Sequence, residues 1–122
     1  MKVMIVDDSL LISIRLRGLL SRAENVGTLS SAGDVEEGKR VFAKENPDVV
    51  LLDINLPGEN GLGLLDHIRM SGVETKVIIM TNENGRFYRQ WSIARGADYF
   101  VDKSNDFDLL PGILSDLYRS VS

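Results

Sequence analysis
The stretch Lys2–Ser9, KVMIVDDS, runs a short apolar, β-branched segment straight into two adjacent carboxylates. Asp7 and Asp8 repel each other, and the mouth of an apolar core is a costly place to leave both charged. Strand-like runs recur at 27–32 (GTLSSA), 48–52 (DVVLL), 76–80 (KVIIM) and 98–101 (DYFV). Those at 48–52 and 76–80 are continuously apolar and β-rich, as strands buried on both faces require.

Helical patterns separate these runs. Ile12, Leu16, Leu19 and Ala23 form one apolar stripe after Asp8. Asp34 with Glu37 reads as a helix start with a capping pair, Val35, Gly38, Val41 and Phe42 as the inner face, and Pro47 as the stop. Leu64, Leu65 and Ile68 mark a third helix starting near Gly61. A fourth, roughly 86–95, carries Ile93 and Ala94 and ends at Gly96. Leu110, Ile113, Leu114 and Leu117 stripe a fifth that starts close to Pro111. Five strands alternating with five helices predict an α/β fold with a parallel sheet covered on both faces.

Composition narrows the function. The chain has 122 residues, 43% hydrophobic and 26% charged, and is read as one domain, 1–122. It has no Cys, so no disulfide or thiolate chemistry is available, and a single His, His67, which argues against His-based metal sites and triads. The net charge is −4 and the pI about 4.9, which disfavours direct nucleic-acid binding through a broad basic face. No apolar run approaches the roughly 20 residues of a membrane helix. A soluble, cytoplasmic protein without membrane contact is expected.

The polar residues then fall into place. Ligands of open α/β sheets bind outside the carboxyl ends of the strands, where strand order reverses. Asp7 and Asp8 end the first strand, Asp53 the third and Thr81 the fourth, and Lys103 lies just beyond the fifth. In a flavodoxin-like order, 2-1-3-4-5, the first and third strands are neighbours at the switch point. Three carboxylates then converge beside a hydroxyl and an ammonium. Without a cation they cannot all stay ionised, and hard oxygen ligands of this kind suit Mg²⁺. A carboxylate, a Mg²⁺ site, a lysine and a hydroxyl together read as phosphoryl transfer onto an aspartate.

Over essentially the whole chain these residues resemble the receiver domain of two-component response regulators, similar to chemotaxis-type single-domain receivers. The resemblance rests on the Asp7–Asp8 pair, Asp53 in DINLPGENG, Thr81 after the fourth strand and Lys103 after GADYFV. It implies a phosphorylation-dependent switch that catalyses only its own phosphorylation and dephosphorylation. Asp53 would accept the phosphoryl group from a sensor histidine kinase or phosphotransfer protein. Asp7, Asp8, Asp53 and the backbone carbonyl of Asn55 would hold Mg²⁺. Lys103 would pair with Asp53 and then with the phosphoryl oxygens, Thr81 would bond a phosphoryl oxygen, and Phe100 would be the switch aromatic, with Tyr99 on the opposite face. The output surface would be the fourth helix, fifth strand and fifth helix, with Tyr88, Trp91 and Arg95 as candidates, in a monomer or weak dimer. Asn55 and Glu83 would position the hydrolytic water, so that the phosphorylated form is short-lived. Asn82 would narrow access to Asp53, where the family usually has a small residue. Ser104 stands where the family's lysine is usually followed by a cis proline. A trans bond is expected there, because cis without proline costs about 3–4 kcal/mol.

Each residue also has a plainer reading. Asp7 and Asp8 could cap the first helix, Asp53 could be a turn residue, Thr81 a strand-end cap, Lys103 a solvated charge and His67 a surface residue. Three rival functions remain in view. A flavin-mononucleotide binder would want a Ser/Thr/Gly-rich loop where DDSLL stands. An aspartyl-phosphate hydrolase would want a second acid where Asn55 stands. A docking module that works without phosphorylation would not need the intact site. The sequence leaves open whether the receiver stands alone or belongs to a longer chain.

Overall fold
A computed structural model describes residues 1–23, 25–56, 59–81, 86–103 and 106–121. The elements in chain order are β1 (Lys2–Val6), α1 (Leu10–Leu20), β2 (Thr28–Ala32), α2 (Val35–Glu45), β3 (Val49–Asp53), β4 (Asn55–Leu56), β5 (Glu59–Asn60), α3 (Leu62–Met70), β6 (Lys76–Thr81), α4 (Arg86–Ala94), β7 (Tyr99–Asp102), a 3₁₀ turn (Phe107–Leu109) and α5 (Leu110–Val121). The main sheet is parallel, ordered β2-β1-β3-β6-β7, with Val6 beside Leu52 and Asp53 beside Met80. Counting only its strands, this is the expected order 2-1-3-4-5. The antiparallel pair β4–β5 is additional.

Alternation along the strands divides the core. Met4, Val6, Val50, Leu52, Val77 and Ile79 face α2 and α3, while Val3, Ile5, Val49, Leu51, Ile78 and Met80 face α1 and α5. Phe100 packs into the first cluster and Tyr99 into the second, on opposite faces as expected. In α1 the inner stripe runs through Leu16 and Leu20, since the helix ends before Ala23.

Caps explain the helix starts. Ser9, not Asp7 or Asp8, is the N-cap of α1, its hydroxyl accepting from Ile12 N–H. Asp34 caps α2 by accepting from Glu37 N–H, and Glu37 reaches back to accept from Gly33 N–H. Asn46, with φ of 48°, closes that helix just before Pro47. No described helix is long and apolar enough to cross a membrane.

At the opposite end from the strands' carboxyl termini, Arg69 of α3 holds three segments together. Its guanidinium donates to Gly96 O at 2.9 Å, Thr75 O at 2.6 Å and Asp98 Oδ2 at 2.9 Å, and that carboxylate oxygen also accepts from Val77 N–H. Gly96 has φ of 100°, and a Cβ there would lie 2.9 Å from Arg69 Nε, so the glycine serves both backbone and arginine. Arg69→Ala is expected to cost about 2 kcal/mol, because Thr75 O and Gly96 O lose a charged donor while partial exposure softens the loss. Urea unfolding measures it. Arg69→Lys should recover less than half, since an ammonium cannot span three acceptors in the guanidinium's plane. Wild-type stability in Arg69→Ala would show that the contacts contribute nothing.

Candidate functional site
The carboxyl ends of β1, β3 and β6 meet the residue that follows β7. Asp7 N–H donates to Ala32 O at 3.0 Å, which carries the ladder one residue past β1 and turns Asp7 into the crevice. Asp53 closes β3, and Ile54 N–H donates to Met80 O at 3.2 Å beside it. Thr81 closes β6, and its carbonyl accepts from Lys103 N–H at 2.8 Å, which fixes the lysine's backbone to the same end of the sheet. Asp7, Asp53, Thr81 and Lys103 are buried, and Asp8 is exposed.

The carboxylates are held in detail. Asp7 Oδ1 accepts from Ser9 N–H at 2.9 Å, and Asp53 Oδ1 accepts from Asn55 N–H at 3.0 Å. The Lys103 ammonium sits between the remaining oxygens, 2.6 Å from Asp7 Oδ2 and 3.1 Å from Asp53 Oδ2. Lys103 thus pairs with Asp53, as expected, and more closely with Asp7, which sequence reasoning had not paired with it. Burial pushes the Asp53 carboxyl above its ordinary 3.8, and nearby Asp7 adds to this. The Asn55 N–H bond and the Lys103 charge work in the other direction.

Gly61 allows this geometry. A Cβ on it would stand 2.1 Å from Asp53 O, and its N–H donates to Ile54 O at 2.8 Å. The β4–β5 pair between them folds the chain back so that Gly61 can lie against the end of β3. Asn60 Oδ1 then caps α3 by accepting from Leu62 N–H.

One carboxylate oxygen each from Asp7, Asp8 and Asp53 lies within 4.8 Å of the others. Three carboxylates face one ammonium, so the crevice carries an excess of negative charge that a hard divalent cation would neutralise. The exposed side at Asp8 leaves room for its water ligands, so the donor set fits such an ion. Thr81 shares a sheet face with Phe100: it follows Ile79 by two residues, and Ile79 pairs with Phe100.

Asn82 and Glu83, expected beside the phosphoryl group, and Ser104 with its peptide bond lie outside the described residues. So does the Tyr88 side chain. The placement of Trp91 and Arg95 on the output surface is corrected. Both turn toward α2 and α3, lining a cleft with Val35, Lys39, Leu62 and Gly63, and Arg95 pairs with Asp66 of α3 at 3.3 Å. His67 is exposed and meets Phe42 edge-on, in line with the surface reading.

Sequence reasoning missed the outer face of α1. Leu10, Leu11 and Ile14 are 75%, 76% and 58% exposed, immediately after Asp8. Arg15 and Arg17 are exposed on the same helix and Arg22 in the turn after it, and none is paired with a carboxylate among the described residues. Two adjacent leucines cannot both lie on one inner stripe, and that was the available signal.

Comparison with known proteins agrees with this arrangement. The family model described as the response regulator receiver domain matches residues 3–115. The nitrate/nitrite response regulator protein NarL of Escherichia coli K12 is 28% identical over 112 residues, 91% of this chain and 52% of that protein. NarP of the same organism is 33% identical over 109 residues, 89% of this chain and 51% of that protein. The chain therefore spans about half the length of these curated relatives. Among solved structures, a two-component response regulator of the LuxR family from Aurantimonas sp. SI85-9A1 superposes with a TM-score of 0.89 at 27% identity, covering 98% of this chain and 85% of that one. The family match and the strand-end constellation coincide, and the chain belongs to the receiver domains of two-component response regulators.

Proposed function
We propose that residues 1–122 form a receiver that takes a phosphoryl group onto Asp53 from a phosphohistidine on a sensor kinase or phosphotransfer protein. The observation that carries the reading is the Asp53 carboxylate, buried at a strand end and held by Asn55 N–H and Lys103. An Asp53 oxygen forms the new O–P bond, the N–P bond of the phosphohistidine breaks, and the imidazole leaves with the electron pair and takes up a proton. Lys103, already within reach of Asp53, follows the charge onto the phosphoryl oxygens. Thr81 donates its hydroxyl to one of them, and Phe100, on the same sheet face, takes up the space that Thr81 vacates. Asp7, Asp8 and Asp53, with the Asn55 carbonyl, would hold Mg²⁺, which when bound offsets the negative charge gathered around the phosphorus. Asn55 and Glu83 orient the water that later hydrolyses the acyl phosphate. The protein works as a cytoplasmic switch, modifying only itself, and the receiver's net charge of −4 disfavours contact with nucleic acid.

The α1 surface supports a protein donor. A phosphohistidine carried on a protein reaches a buried carboxylate best when that protein is steadied at the crevice mouth, and Leu10, Leu11 and Ile14 form the apolar patch beside Asp8. Two arms test the reading. With acetyl phosphate and Mg²⁺, the protein should gain one phosphoryl group by intact mass, and none with EDTA. Leu11→Ser with Ile14→Ser should leave that reaction unchanged, while slowing transfer from a phosphohistidine protein by about tenfold or more. Labelling that persists in EDTA would overturn the metal assignment. Equal slowing with both donors would place the fault in the site rather than in docking.

A further inference from the structure
Helix α4 packs over β7 and buries a serine there. Of the described α4 side chains, Arg89–Ala94, Ser92 alone is buried, at 0% exposure. The large apolar residues Trp91 and Ile93 are each 47% exposed. The Ser92 hydroxyl has no hydrogen-bond partner. A serine in a helix usually bonds back to the preceding turn or reaches water. Here it has given up water and gained nothing, which makes this seat for α4 less favourable than the same seat with an apolar residue of equal size.

The position matters as much as the cost. Helix α4 lies over β7, with Arg95 reaching Asp66 of α3, so Ser92 is buried on the side of the sheet that also holds Phe100. The helix begins at Arg86, five residues after Thr81. Thr81 and α4 are thus close in the chain, and both lie on the side of the sheet that holds Phe100.

We propose that Ser92 is a positioning residue that keeps α4 in a deliberately shallow well, so that the contact Thr81 makes with a phosphoryl group is enough to move it. The inference rests on the phosphorylation reading above. A ligand shifts a two-state equilibrium only by its difference in affinity for the two states, so a narrow resting gap lets a modest contact switch the helix. Filling the seat with an apolar group of equal size widens that gap and blunts the switch.

Ser92→Ala removes the hydroxyl and is nearly isosteric. Trp91 is the only tryptophan and adjoins Ser92, so its fluorescence reports the seat. The probe is beryllofluoride, a phosphoryl mimic, titrated with Mg²⁺ present. Relative to wild type, Ser92→Ala is expected to melt at higher temperature and to need about fivefold more beryllofluoride to reach the midpoint of the Trp91 change. Its phosphorylation by acetyl phosphate should stay complete. Gln90→Ala, exposed on the same helix, improves helix propensity alone and should leave the midpoint in place. An unchanged or lower midpoint in Ser92→Ala overturns the inference, as does an equal shift in Gln90→Ala. Failure of the wild type itself to take up phosphoryl groups would instead overturn the function on which the inference rests.

Discussion

Asp53→Asn is expected to take no phosphoryl group from acetyl phosphate under conditions in which the wild type takes one. The substitution keeps the size and planar shape of the side chain and an oxygen for Asn55 N–H, while an amide has no nucleophilic carboxylate oxygen to attack phosphorus. Lys103 retains Asp7, at 2.6 Å, so the crevice keeps its ammonium. The loss should therefore be chemical and not a failure to fold. Stability supplies the control. Burial holds the Asp53 carboxyl above its ordinary 3.8, so the folded form binds a proton more readily than the unfolded one. The ionised group therefore subtracts stability as pH rises from 3.8 through the raised value, and goes on subtracting it at neutral pH. A neutral residue escapes that penalty, and Asp53→Asn should melt no lower than wild type at pH 7. Intact mass gives the first result and calorimetry the second. Equal labelling of the variant would move the acceptor elsewhere.

Lys103→Met should show the largest change in stability. The ammonium lies between two buried carboxylates, and methionine of similar length would leave both uncompensated. Breaking a buried pair in this way costs about 3–5 kcal/mol. Two conditions should return most of it. Mg²⁺ at saturating concentration binds the folded form and supplies the missing positive charge. Acid does the same by protonation: removing Lys103 takes away a cause that lowers the Asp53 pKa, so the raised value rises further and the penalty fades as pH falls through it. Urea unfolding at neutral pH without metal, with Mg²⁺, and near pH 4 separates the cases. A variant as stable as wild type without metal would mean that water, and not Lys103, compensates the carboxylates.

The site was legible because its residues stand where strands end. Asp7, Asp8, Asp53, Thr81 and Lys103 each follow an apolar run, and the alternation of runs and helical stripes fixes which ends lie together. The double burial of the strands was legible for the same reason, as VVLL and VIIM leave no polar face. Three features were not. The β4–β5 pair has two residues per strand, too few for any periodicity to register. The Lys103–Asp7 contact depends on how a long side chain crosses the crevice, which spacing along the chain does not encode. The direction in which Trp91 and Arg95 point was misjudged because both were assigned from the resemblance and not from the helix's own pattern. Phe87, Trp91 and Ala94 recur at helical spacing, and that stripe was the signal that Trp91 faces inward.

Strand β3 has a further consequence, for kinetics. It hydrogen-bonds to β1 on one side and β6 on the other, and all five of its side chains are buried, so no partial opening at either edge of the sheet uncovers it. The amides of Leu51 and Leu52 belong to the last structure to be lost and should exchange with solvent deuterium only through global unfolding. Asp53 is the next residue. The carboxylate proposed to receive the phosphoryl group is thus mounted beside amides expected to exchange slowest, while the helix meant to respond to it packs on β7, at an edge of the sheet.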